Sequence, residues 1–194
     1  MGCGNGEFLY FLRSQGYRNI VGIGLCQGEL EQARQMRMEN LICADALDYL
    51  RDKTEQIHFI TAFNFFKHLR KDEILRILDC VYGALKPDGI MVAVTPNGFP
   101  PFSDATRYWN FSHETGFTPP SWQQLSRLTG FRKVQFEELG QIPHSIYGII
   151  RIVLWKTVRL LLDFQSYTEV GGLRGNFRVY TADMKIILTK YYKR

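Results

Sequence analysis

Three glycines at alternate positions, Gly2, Gly4 and Gly6, open the chain around Cys3 and Asn5. Glycine lets a backbone turn this tightly without steric penalty and lie directly against a ligand. The amphipathic stretch that follows presents free N–H groups at its start, which suits a polar or anionic ligand group. Loops of this kind normally follow a buried strand, yet here only Met1 precedes it. A second candidate for chemistry is His113, within "TRYWNFSHETGFTP". An unperturbed imidazole titrates near neutral pH and can take a proton from an acceptor hydroxyl, so His113 is the candidate general base. Its competing reading is a loop pin held by hydrogen bonds. His68, in "FFKHL", reads as a packed or capping histidine. Cys3, Cys26, Cys43 and Cys80 show neither C-x-x-C spacing nor metal-ligand partners. They read as reduced thiols of a cytoplasmic protein, and no metal site is expected.

Alternating apolar runs and helical periods must position these residues. Helical patterns cover 5–16, 27–39, 46–52, 71–89, 119–129 and 145–164, and strand patterns cover 19–25, 40–45, 57–63, 90–96, 132–139 and 184–192. "IMVAVTP" (90–96) is nearly all apolar, as in a strand covered on both faces. This βαβα order predicts a mostly parallel sheet with helices on both sides. Residues 97–118 form a longer connection than a structural loop needs, which points to a functional loop. With 194 residues, 45% hydrophobic and without linker or repeat, the chain reads as a single domain. Residues 1–97 form the half with the glycine loop, and 98–194 carry the loop, a long apolar helix and the last strands.

At this point the sequence resembles the class I S-adenosylmethionine-dependent methyltransferases. "GCGNGEFLYFLRSQGYRNIVGIGLCQGELEQARQ" resembles their first cofactor motif with the helix and strand after it. "CADALDYL" resembles the stretch that meets adenine, and "IHFITAFNFFKHL…ILRILDCVYGALKPDGIMVAVTPN" resembles the fourth strand, next helix and fifth strand. The resemblance implies a Rossmann-like three-layer α/β sandwich with an antiparallel last strand, and S-adenosylmethionine as cofactor. It implies that Gly2, Cys3, Gly4, Asn5 and Gly6 border the methionine and ribose. It further implies that Leu25 packs on adenine, Asp45 and Ala46 meet its exocyclic amine, and Asn64 lies beneath the sulfonium. Asp45 also reads as the N-cap of the helix after it; both roles stay open. Two departures stand out. Gly24 replaces the Asp or Glu that grips the ribose hydroxyls, with Glu29 nearby as a substitute. The family's first strand is missing, so the chain reads as an N-terminally truncated version of a longer enzyme, or as a degenerate homologue.

The stretch around His113 resembles one found in methyltransferases of glycan and cell-surface polysaccharide pathways. That likeness implies a small-molecule or glycan acceptor, with Tyr108 and Trp109 stacking on a sugar face and Arg107 bonding its hydroxyls or carboxylates. Methyl transfer to an oxygen nucleophile, a sugar hydroxyl, is the expected reaction, and a non-catalytic partner-binding domain is the alternative. A nicotinamide-type oxidoreductase on the same layout fits the motif spacing less well. The net charge of +5 and pI near 9.0 are diffuse, and no nucleic-acid partner is expected. "IYGIIRIVLWKTVRLLLDF" (146–164) gathers Arg151, Lys156, Arg159 and Asp163 in one arc and is apolar around the rest. It reads as a helix packed on the sheet or in a homodimer, or as a peripheral membrane contact. No run is long enough to span a bilayer, so the expected location is cytoplasmic, with membrane association through 146–164.

Overall fold

In a computed structural model, described over residues 1–100, 103, 110–140, 143–171 and 177–191, the strands fall into two sheets. β1 (Gly22–Gly24) pairs in parallel with β2 (Leu41–Cys43). The larger sheet has the order β3–β4–β6–β5, built from β3 (Ile57–Phe63), β4 (Leu85–Pro96), β5 (Lys133–Glu138) and β6 (Asp183–Thr189). β3 and β4 run parallel, and β6 is antiparallel to both β4 and β5. The helices are α1 (Glu7–Ser14), α2 (Gln27–Gln35), α3 (Ala46–Arg51), α4 (Lys71–Ala84), α5 (Pro119–Leu128) and α6 (Ile146–Val170). The expected mostly parallel, Rossmann-like α/β arrangement with an antiparallel last strand is the one observed.

The core follows from the apolar periods. α4 turns Ile74, Ile77, Leu78 and Val81 onto Met91 and Ala93 of β4 and onto Met184, Ile186 and Leu188 of β6, all buried in one cluster. At about 25 cal/mol per Å² of apolar surface, a cluster of this size is the dominant favourable contribution to folding. Trp122 of α5 anchors the loop side. Its ring stacks on Phe117 and meets Phe66 edge-on, with centroids 5.1 Å away in each case. Its Nε1 donates to Thr95 Oγ1 at 3.3 Å, so the buried indole keeps a polar partner.

Several boundaries differ from the sequence expectation. The helix expected over 71–89 ends at Ala84, because Leu85 is extended and pairs with Ile57, and Pro87 disfavours a helical Lys86. The helix begun at Gln27 stops at Gln35, where Arg37 adopts a left-handed backbone with φ 59°. The long helix runs past 164 to Val170 and stops at left-handed Gly171, φ 75°.

The first residues join the two sheets. Cys3 N donates to Ile23 O in β1 at 2.9 Å, and the Met1 amine donates to Thr61 O in β3 at 2.7 Å. In a chain that starts at Met1, burial pulls this amine down to about 6 from an ordinary 8.0. Between those values the unfolded chain holds a proton that the folded chain lacks, so stability rises with pH across that window. The gain is complete above pH 8.0, falls progressively below it and is gone below about pH 6. Two pH units correspond to about 2–3 kcal/mol. Denaturant unfolding of the chain retaining Met1 is expected to show this rise, and N-terminal acetylation, which removes the titrating amine, is expected to abolish it.

Candidate functional site

The candidate site lies where the glycine loop meets the carboxyl ends of β1 and β3. Gly2, Gly4 and Gly6 all take left-handed backbones, with φ 62°, 51° and 81°. Two of the three are fixed by close packing. A Cβ on Gly2 would stand 3.0 Å from Phe65 Cδ2, and one on Gly6 would stand 2.8 Å from Ala33 Cβ. A Cβ on Gly4 would meet nothing within 4 Å, so Gly4 presents bare backbone to open space. Gly6 N donates to Cys3 O at 2.9 Å, closing the turn. Gly6 is also the N-cap of α1 and supplies no capping side chain, so no side chain of the cap position closes the helix start. Asn5 is exposed at the loop tip.

Cys3 sits inside the turn rather than offering a nucleophile. Its Sγ lies 3.5 Å from where a Cβ on Gly24 would be. Burial pushes its thiol up and the Glu29 carboxylate adds to that, against the opposing pull of the Met1 ammonium. Glu29, in the first turn of α2, therefore bears electrostatically on the loop beside Gly24. At Gly24 a Cβ would make only ordinary contacts, 3.5 Å to Cys3 Sγ and 3.5 Å to Leu30 Cδ2. A Cβ at this position would therefore fit without displacing its neighbours.

Beyond β1, Leu25 is 70% exposed, an apolar side chain at the site's edge without a protein partner sufficient to bury it. Asp45 caps α3, its Oδ1 accepting from Leu47 N at 2.7 Å. Ala46 is buried beneath it. At the end of β3, Asn64 holds a left-handed backbone, φ 54°, and its Oδ1 accepts from Lys67 Nζ at 3.1 Å. Burial lowers the Lys67 ammonium, and the Asp183 carboxylate at the start of β6 counteracts that. Sequence reading singled out Asn64 without Lys67 or Asp183. Nothing local ties Lys67 to a strand far along the chain.

The loop with His113 is drawn to this corner. Glu114 N and Thr115 N donate to Lys67 O at 2.8 and 3.2 Å, and Thr115 Oγ1 donates to Leu69 O at 2.8 Å. His68 Nδ1 lies 3.1 Å from both Ser112 O and Ser112 Oγ. The His68 and His113 rings meet edge-on with centroids 5.4 Å apart. His68 therefore pins the loop, as a packing histidine would, and His113 stands within one ring of the Asn64–Lys67 turn. Arg107, Tyr108 and Trp109 lie outside the described residues. Among the described residues no group of three or more His, Cys, Asp or Glu side chains is placed to hold a metal.

The family model described as a methyltransferase domain matches residues 1–136. No curated protein matches the sequence. Among solved structures, a S-adenosylmethionine-dependent methyltransferase from Archaeoglobus fulgidus superposes with a TM-score of 0.71 at 20% identity, over 97% of this chain and 83% of its own. One from Thermotoga maritima gives 0.64 at 14% identity, over 98% and 79%. A phosphoethanolamine N-methyltransferase from Haemonchus contortus, solved with S-adenosylhomocysteine, gives 0.65 at 13% identity, over 99% and 48%. At these identities the likeness establishes the fold.

The glycine geometry separates binding from folding. Gly4→Ala costs about 1–2 kcal/mol of backbone strain and puts its methyl into open space where a ligand would lie. Calorimetric titration with S-adenosylhomocysteine is expected to weaken by about tenfold or more (~1.4 kcal/mol per decade) while the fold persists. Gly6→Ala adds a clash with Ala33 to the same strain and is expected to lose about 2–4 kcal/mol of unfolding free energy.

Proposed function

The chain belongs to the methyltransferase-domain family, and we propose that this S-adenosylmethionine-dependent methyltransferase delivers the methyl to an oxygen nucleophile, a sugar hydroxyl of a small glycan. The observation that supports the reading is the packing of His113 on His68 and of its segment on the Asn64–Lys67 turn, with the glycine loop beside Phe65 of that turn. The site residues fit the cofactor: an open backbone cradle at Gly4, an uncapped helix start, and an exposed apolar side chain at Leu25. Gly2, Cys3, Gly4, Asn5 and Gly6 would hold its methionine and ribose, and Gly24, Leu25, Asp45 and Ala46 its adenosine. Ala46, being buried, would contribute backbone, and Asp45 would keep its capping bond while its second oxygen accepts from the adenine amine. When bound, the cofactor supplies an electrophilic methyl on a sulfonium.

The chain's own residues do the rest. Asn64, rigid in its left-handed turn and tethered by Lys67, lines the floor of the reacting end. His113 takes the acceptor hydroxyl's proton on a ring nitrogen as the oxygen becomes methylated. His68 and the Lys67 carbonyl hold the loop so that the base is already in place, and fixed alignment of acceptor and methyl supplies much of the rate. Arg107, Tyr108 and Trp109 would grip the sugar from the same loop. The absent acid at Gly24 favours one competing reading, a domain that binds a partner without turnover.

Two variants test the reading. Gly24→Asp is expected to tighten S-adenosylhomocysteine binding by roughly ten- to a hundredfold, since bonds to a charged group contribute about 1.5–3 kcal/mol. An unchanged affinity would place the ribose elsewhere. His113→Ala is expected to keep that affinity and to lower turnover on sugar acceptors, read with labelled methyl, by about 10²–10⁴-fold. Turnover within a few-fold of the parent would remove His113 as the base, and label confined to amines would overturn the oxygen acceptor.

A further inference from the structure

The long helix α6 wears its polarity inside out. Arg159 pairs with Glu138 at 3.2 Å, and Asp163 accepts from Arg178 Nε and from Tyr180 OH, each at 2.9 Å. Asp163 and Ser166 are buried, and Trp155 carries a buried Nε1. The helix is thus fastened to the rest of the chain by a side that combines these charged and polar groups with half-buried Ile152, Trp155 and Leu162. Among the described residues, none of its hydrophobic side chains joins the buried core. Instead Ile146, Tyr147, Ile149, Ile150, Val153 and Leu154 are exposed, and so are Val158, Leu160, Leu161, Phe164 and Tyr167.

At about 100° per residue these side chains fill an arc of about 180°, and between Ile146 and Phe164 only Thr157 interrupts it. Arg151 and Lys156, both exposed, stand about 20° beyond its two edges at the same angular step. The helix has 25 residues and is about 37 Å long at 1.5 Å per residue. We infer that α6 lies flat in the headgroup region of an anionic membrane, its apolar half immersed and Arg151 and Lys156 reaching back to lipid phosphates.

The width and the edges select this occupant. A surface helix of a globular protein typically turns an apolar stripe of about 100° or more toward its core, and this arc is nearly twice the lower end of that range. An interface between lipid and water takes a half-immersed helix, and cations at its rim snorkel to the phosphates. No described helix is long and apolar enough to cross a membrane, so the contact is peripheral. The inference does not depend on which acceptor is methylated.

Flotation of the whole chain tests it, with vesicles of phosphatidylcholine alone and with phosphatidylglycerol added. The parent is expected to float with the anionic vesicles, less so as salt rises. A Leu154→Glu/Leu160→Glu pair is expected to abolish flotation, and Arg151→Gln or Lys156→Gln to lower partitioning by about fivefold each. These side chains are exposed, so the S-adenosylhomocysteine titration should be unchanged in every variant, and a failure at the cofactor site would show there instead. A folded parent that stays with neither vesicle overturns the inference. So does flotation that persists in the paired Glu variant, or a soluble dimer by light scattering that the paired variant dissolves while no vesicle is bound.

Discussion

Two backbone hydrogen bonds from the first three residues hold the geometry on which the site depends. The Cys3 amide reaches β1 and the Met1 amine reaches β3, so a single extended stretch ties a two-stranded sheet to a four-stranded one. The glycine loop begins where that stretch ends. Its left-handed turns at Gly2 and Gly6 are set by Phe65 on one side and Ala33 on the other. Without the tie, the loop would have no fixed height relative to Asn64. The arrangement has a cost, since an amine whose charge is disfavoured by burial must give up hydration to make the bond. Close packing of Met1 against the main cluster offsets it.

The second constraint is the clamp of the 110–117 segment on the turn at 66–69. Three backbone and side-chain bonds to Lys67 and Leu69 carbonyls, together with the His68–Ser112 contact, convert a long connection into a fixed wall. Phe117 reinforces the wall from below by stacking on Trp122. Asn97 closes the other end, donating from Nδ2 to Val179 O and Thr181 O at 2.9 and 3.1 Å. The outcome is a corner in which the 110–117 segment, Asn64 and Lys67 are held together by several bonds. In the reaction proposed above, alignment fixed in folding would not have to be made again at each turnover.

Much of this was legible in the residues. The apolar stretches 57–63 and 90–96 became β3 and β4, with β3 at the edge of its sheet and β4 burying alternate residues while those between stay half-buried, and the period of 71–84 became a core helix. The alternating glycines announced left-handed turns, and Asp45 announced a helix cap. The edges were harder. The strands expected over 19–25 and 40–45 shrank to Gly22–Gly24 and Leu41–Cys43, since strand character there lasts only as far as one partner does. The Asn64–Lys67–Asp183 grouping was not readable, because it needs β6 to return antiparallel beside β4, a tertiary fact with no local signature.

The long helix shows the limit of periodicity most plainly. Its charges do gather in one arc, and an amphipathic pattern ordinarily turns such an arc to water. Here Glu138 on β5 and Arg178 before β6 supply opposite charges against that arc, and Tyr180 adds both a hydroxyl donor to Asp163 and a backbone N–H to Glu138. Partly buried pairs of this kind give little net stability, because desolvation consumes most of the attraction. Their effect is orientation. A helix held only by apolar contacts could roll about its axis, whereas charges that must each find a partner permit a single azimuth. The domain therefore uses its polar groups to choose which side of α6 faces outward, and the side it chooses is the one water favours least.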